Sequence, residues 1–203
     1  MPIEQQEIVE GWRRGEEAAV RAIFGLYFPR AVRIGALSGL TLDEAKDCAQ
    51  EAFVHAFERR GQLRNAQAFP LWFHRILTRR VLDALGARTR RREKPLGEVS
   101  ELAEEWPREE PARPDMLALE AELRAELWEY VQALPTQYRV PVVLRYYGDF
   151  SLHEVAELVG AREGTVRVQL HRALGQLRIQ IAHLPAHDRL APSQAPATSW
   201  DPR

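Results

Sequence analysis

Residues 150–177, FSLHEVAELVGAREGTVRVQLHRALGQL, constrain this chain more than any other stretch. They spell two short helices with a tight turn between them. Ser151 followed by Glu154 is a capping box, in which side chain and backbone satisfy two helix-start donors reciprocally. Leu152, Val155, Ala156 and Val159 recur at i, i+3, i+4 and i+7, so they share one buried stripe. Gly160 suits the left-handed backbone that stops a helix. A second helix is expected to begin near Gly164, with Val166, Leu170, Ala173, Leu174 and Leu177 on its inner face. Gly164, Val168, His171 and Gly175 point away, flanked by Thr165, Gln169 and Arg172 on one side and Arg167 on the other. Such a helix fits the major groove of DNA. Its guanidinium, amide and hydroxyl groups reach phosphates and base edges, and Val168 suits a thymine methyl. An ordinary helical hairpin with a solvated arginine face satisfies the same short pattern.

Charge is segregated along the chain. The 203 residues carry a net charge of −1, so the total predicts no nucleic-acid binding. Residues 74–92, however, hold seven arginines against the single acid Asp83. Residues 93–115 hold eight acids against Lys94, Arg108 and Arg113. A basic helix end is thus followed by an acidic connector. Cys48 is the only cysteine, which excludes an internal disulfide and points to a reducing, cytoplasmic setting. No apolar run is long enough for a membrane span, so no direct membrane insertion is expected.

Helical periodicity is nearly continuous and strand signals are scarce. The expected fold is all-α: two small helical domains, 1–92 and 116–183, joined by an acidic flexible linker at 93–115. Pro95, Gly97, Pro107, Pro111 and Pro114 keep that linker from packing as a third domain, and the tail 184–203 reads as disordered. Residues 16–37 carry Val20, Ile23, Phe24, Tyr27 and Phe28 at core spacing, with Pro29 expected to bend or interrupt the helix. Thr41 and Glu44 form a second capping box. The helix behind it puts Ala45, Cys48, Ala49, Ala52, Phe53 and Ala56 on one face, and Asp43, Asp47, Gln50, Glu51, Val54 and Glu58 on the other. That acidic, amide-bearing face is either solvated or a docking surface for a basic partner.

After a loop at 61–68, Phe69-Pro70 opens a helix expected to run to about Ala87. Trp72, Arg75 and Arg79 share one side of it. Bases stack on such a ring while the guanidinium groups follow the phosphates. Phe73 reads as core; Trp72 reads equally as core or as a stacking platform. The chain contains no phosphate-binding loop, no HExxH and no Cys/His metal spacing, so no enzyme, metal or cofactor is expected. His74, His153 and His171 are isolated and read as surface or capping residues.

Four segments together resemble a known family. GEEAAVRAIFGLYFPRAVRIG is similar to the start of the second conserved region of sigma-70 factors, in the small extracytoplasmic-function (ECF) group. DEAKDCAQEAFVHAFERR resembles that family's polymerase-docking helix, and FPLWFHRILTRRVLDALGARTRRR its promoter-opening helix. LPTQYRVPVVLRYYGDFSLHEVAELVGAREGTVRVQLHRALGQLR resembles the fourth region, with Leu134-Pro135, Leu144-Arg145-Tyr146 and Gly164-Thr165-Val166 in the family's order. The third region is missing, and only the acidic connector stands in its place.

The resemblance implies a non-enzymatic factor that binds core RNA polymerase, recognises promoter DNA at its minus-thirty-five and minus-ten elements, and helps open the duplex. It implies that Asp47, Gln50, Glu51 and Val54 meet the polymerase, on a helix supported from within by Phe53. It assigns the minus-ten element to Asn65, Trp72, Arg75, Arg79 and Arg80, with Asn65 facing a flipped base. It assigns the minus-thirty-five element to Arg162, Thr165, Arg167, Val168, Gln169 and Arg172. Val168 and Gln169 stand where the family often has a small polar and then a basic residue. An anti-sigma factor is the implied regulatory partner. The rival is a stand-alone helix-turn-helix regulator; it accounts for residues 151–177 but not for the docking-like or Trp72 helices. A purely protein-binding helical adaptor is the third alternative.

Overall fold

The computed structural model describes residues 3–91 and 128–182. The acidic connector, the tail and Trp200 lie outside the described residues. Every regular element among the described residues is helical.

The first unit is built from α1 (Ile3–Arg14), α2 (Glu17–Leu37), α3 (Leu42–Glu58) and α4 (Phe69–Arg91). The α3 capping box forms as expected: Glu44 N–H donates to Thr41 Oγ1 at 3.3 Å, and Thr41 N–H donates to Glu44 Oε2 at 2.8 Å. Ala45, Cys48, Ala49, Ala52 and Ala56 make the inner face of α3 small-sided, so α2 and α4 approach closely. On α4, Phe69, Phe73, Leu77, Val81 and Leu85 repeat every four residues and fill the core. An aromatic cluster ties the helices together. Trp12 of α1 lies edge-on to Phe69 at 5.1 Å, Tyr27 of α2 to Phe69 at 5.0 Å, and Phe53 of α3 tilts against Phe73 at 4.6 Å. Each such pair adds about 0.5–1.5 kcal/mol beyond area burial.

Two local expectations change. The helix does not break at Pro29; α2 runs through it, because losing one hydrogen bond is outweighed by the buried run Ala31–Leu37 behind it. And α4 continues past Ala87 to Arg91, where Arg88 is anchored on Gly39 O and Glu44, both at 2.9 Å.

The second unit holds a helical segment at 128–133, α5 (Thr136–Val142), a π-helical turn (Val143–Tyr147), α6 (Leu152–Val159) and α7 (Glu163–Ala182). The α6 capping box closes with Ser151 N–H donating to Glu154 Oε2 at 2.8 Å and Glu154 N–H to Ser151 Oγ at 3.2 Å. Gly160 sits in the left-handed region at φ 68°, and α7 starts at Glu163, one residue before the expected point. Val166, Leu170, Ala173 and Leu177 bury its inner face. No helix among the described residues is long and apolar enough to cross a membrane.

The two units pack against each other. α6 lies along α4, and the turn after the π-helix meets α2. Arg30 donates to Gly148 O at 2.8 Å, and Arg33 to the Tyr147 hydroxyl at 3.1 Å. At the end of α2, Gly39 takes φ 108° and its N–H donates to Ala36 O at 2.9 Å, while Gln132 Nε2 adds bonds to the Ala36 and Leu37 carbonyls at 3.3 and 3.5 Å. A Cβ on Gly39 would lie 2.7 Å from Arg139 Cζ, so a side chain there meets the strain of positive φ and has to push the guanidinium aside.

Candidate nucleic-acid and polymerase interfaces

Three surfaces carry the residues singled out above. On α3, Asp47, Gln50 and Glu51 are exposed beside Val54, an apolar side chain left 60% accessible. Glu51 is also paired with Arg80 of α4 at 3.2 Å. Phe53 packs inward on Phe73 and touches Phe24, whose centroid is 5.0 Å away. Phe24 itself is not core, contrary to its spacing. It is exposed and stacked on Phe28 at 4.4 Å. Val20, Ile23, Phe24, Leu26, Tyr27 and Phe28 girdle α2 too widely for a small domain to bury them all. That breadth is the signal by which Phe24 could have been placed at the surface.

The second surface is α4 with the loop before it. Asn65 caps the short turn Ala66–Ala68, accepting from Ala68 N–H through Oδ1 at 2.8 Å. The cap uses one of the two lone pairs on the amide oxygen, and the residue stays exposed. Trp72 is half-buried, edge-on to Trp12 at 6.1 Å, so one part of the ring serves the core while the rest stays accessible. Arg79 is exposed and reaches Asp83 at 3.3 Å. Arg75 is exposed but bridges to Glu157 of α6 at 2.9 Å.

His74 is neither a surface nor a capping residue. It is 2% exposed, wedged between Tyr27, Phe73 and Phe150, with the Phe150 centroid 5.0 Å away. Its Nδ1–H donates to Pro70 O at 2.7 Å, while Nε2 is buried without a partner among the described residues. Burial drives its pKa down to about 4, and the nearby Arg30 cation adds to the effect. The imidazole is therefore neutral at ordinary pH. Cys48 is the counterpart on α3: burial first, then Glu51, Glu44 and Asp47, push its thiol up to about 11, which makes it a packing group rather than a nucleophile.

The third surface is the outer face of α7. Arg162, Thr165, Arg167, Val168 and Arg172 are exposed, whereas Gln169 is half-buried with Oε1 enclosed. Glu163 pairs with Arg167 at 3.2 Å and sits in the first turn, where it complements the positive helix end. A phosphate approaching this end has to displace Glu163 from Arg167.

The order of these surfaces is that of two conserved regions. "Sigma-70 region 2" matches residues 30–91, from the C-terminal part of α2 through α4. "Sigma-70, region 4" matches residues 124–177, through the helix-turn-helix. RNA polymerase sigma factor SigV of Bacillus subtilis (strain 168) is 30% identical over 141 residues, 68% of this chain and 76% of SigV. The chain belongs to the sigma-70 family. ECF RNA polymerase sigma factor SigE of Mycolicibacterium smegmatis is 34% identical, across 68% of this chain and 52% of that relative, in keeping with the ECF group. CnrH, solved in complex with the cytosolic domain of CnrY, shares the fold with a TM-score of 0.62 at 16% identity, over 88% of this chain and 97% of that one. The sigma factor RpoE of Bartonella quintana, solved with the anti-sigma factor NepR, gives 0.57 at 16%, over 81% and 98%. A stand-alone helix-turn-helix regulator would have no counterpart to the region 2 match. The protein is an alternative sigma factor, acting with RNA polymerase in transcription initiation.

Proposed function

We propose that this sigma factor is a two-point promoter reader in which each unit has a separate task. α7, with Arg162 just before it, sets register on the duplex at the minus-thirty-five element through Arg162, Thr165, Arg167, Val168, Gln169 and Arg172. α4 and the loop before it capture the minus-ten element. Arg75, Arg79 and Arg80 follow the strand's phosphates, Trp72 offers the accessible part of its ring to an unstacked base, and the Asn65 NH2 meets a flipped base edge. Unstacking costs a few kcal/mol per step, and capture of the freed base and strand offsets it. Asp47, Gln50, Glu51 and Val54 dock on core polymerase. The domains are assigned as 1–92, linker 93–115, 116–183 and tail 184–203.

The observation that carries this reading is that exposed arginines line both α4 and α7, one in each matched region. The reading puts the protein in the cytoplasm with polymerase, promoter DNA and an anti-sigma factor as partners. Its fold neighbour RpoE was solved with such a factor. The mechanism contains no catalytic step and needs no cofactor.

The test is a footprint of the chain with core polymerase on a responsive promoter. Arg167→Ala with Arg172→Ala should erase upstream protection. Trp72→Ala should leave it and erase the downstream, permanganate-reactive opening. If both variants lose the same protection together, the division of labour is wrong.

A further inference from the structure

The proposed upstream face carries one residue of the wrong charge for a polyanion. Glu163 opens α7, directly after Arg162 and one turn before Arg167, and its side chain is 44% exposed. Among the described residues its carboxylate accepts one hydrogen bond, from Arg167 Nη2 to Oε1 at 3.2 Å. Oε2 accepts none. His153 Nδ1 of α6 stands 3.8 Å from it, beyond hydrogen-bonding distance.

Gly164, the next residue, marks the same spot as one open to approach from outside. Its φ is not positive, and no atom lies within 4 Å of where a Cβ would stand. Neither backbone conformation nor packing within the chain requires glycine there, and glycine weakens a helix relative to alanine. What it supplies is room beside Glu163 for a close neighbour.

Major-groove chemistry decides which neighbour suits a carboxylate, a group that only accepts hydrogen bonds. Guanine presents N7 and O6, and thymine O4, all of them acceptors. Adenine presents the donor N6 next to the acceptor N7. Cytosine presents the N4 donor with no acceptor beside it. A phosphate that draws Arg167 away also strips Oε1 of its donor, so the carboxylate then has to find its partner on the DNA.

We infer that Glu163 is a specificity-determining residue of the upstream contact, selecting a cytosine opposite the first turn of α7 by accepting from its N4 amino group. This rests on the two-point reading above. Glu163 acts mainly by exclusion: opposite cytosine the carboxylate is satisfied, whereas opposite guanine or thymine a desolvated acceptor faces acceptors. Its pairing with Arg167 and its place at the positive helix end are indifferent to sequence, and neither produces a base preference.

The experiment measures binding of the chain with core polymerase to a promoter set in which each upstream base pair is replaced in turn by the other three. The wild type should show one position where cytosine is favoured over guanine and thymine by about tenfold or more, with adenine between. Glu163→Ala should level that position by raising affinity for the guanine and thymine promoters, with preferences elsewhere in the element unchanged. Glu163→Gln, whose amide both donates and accepts, should level it as well. A gain of affinity on a mismatched sequence is an effect that loss of an ion pair or of a helix-end charge does not produce. Equal weakening of Glu163→Ala on all sequences, a cytosine preference that survives it, or no cytosine-preferring position in the wild type would each overturn the assignment. A wild type without upstream preference at any position would sink the two-point reading itself; preferences insensitive to Glu163 would remove only the role given to this residue.

Discussion

His74 of α4 and Phe150 of the second unit meet edge to face, with centroids 5.0 Å apart and the imidazole enclosed. An imidazole so placed is a structural group that has to stay neutral. The packing therefore makes folding sensitive to acid.

The sign follows from the two states. Unfolded, His74 titrates near 6.5; folded, near 4. As pH falls from about 6.5 to about 4, the unfolded state takes up the proton first and stability drops. The loss is bounded by about 3 kcal/mol, from about 1.36 kcal/mol per pH unit. Denaturant titrations from neutral pH down through this window should show it, and His74→Phe should flatten the slope. An unchanged slope in His74→Phe would assign the acid sensitivity elsewhere.

At Gly160 the backbone takes φ 68° and ψ 35°, and nothing lies within 4 Å of where a Cβ would stand, so conformation alone sets the cost of a side chain. Gly160→Ala should destabilise the second unit by about 1 kcal/mol, and Gly160→Asn by less. Thermal unfolding ranks the two; equal losses would contradict a purely backbone origin.

The Glu51–Arg80 pair joins the proposed polymerase surface to the proposed DNA surface. Glu51→Lys should weaken core-polymerase binding about tenfold or more, through charge reversal at a docking contact. Arg80→Ala should leave that affinity within about fivefold, since one exposed pair is worth at most about 1 kcal/mol. It should instead weaken capture of minus-ten single strand. Fluorescence titration with core polymerase and with the strand separates the two effects.

Arg167→Ala plus Arg172→Ala should weaken upstream binding on every sequence and reduce the salt slope by about 2, one for each lost phosphate contact. Substitutions at Val168 or Gln169 should instead alter which sequences are preferred. Affinity measured across a salt series on two promoters distinguishes these patterns.

What was legible in the sequence was mainly local. Both capping boxes, the Gly160 stop and the alternation of α3's small inner face with its acidic outer face depend on neighbours within a turn, and all are present. What escaped depends on contacts distant in sequence. His74 is buried because Phe150, far along the chain, covers it. Gly39 gave no sign that Arg139 would press against it, and Gln132 none that it would cap α2. One local contact escaped as well: Asn65 caps the turn that follows it, which the polar loop composition conceals. Phe24 shows the limit of apolar spacing, which places a residue on a face without saying whether another helix covers it. The outer faces of α3 and α7 and the Trp72, Arg75, Arg79 row follow from helical spacing, Asn65, Arg80 and Arg162 enter only with the family resemblance, and the Arg75–Glu157 and Arg80–Glu51 pairs are visible only once the helices are placed.

Promoter-directed initiation is put to the sharpest trial by run-off transcription with purified core polymerase on a genomic fragment library, with transcript starts mapped. Starts should cluster downstream of a shared two-part sequence, be absent with core alone, and be lost with the Arg167→Ala plus Arg172→Ala variant. Starts no more frequent than the core-only background would contradict the two-point reading.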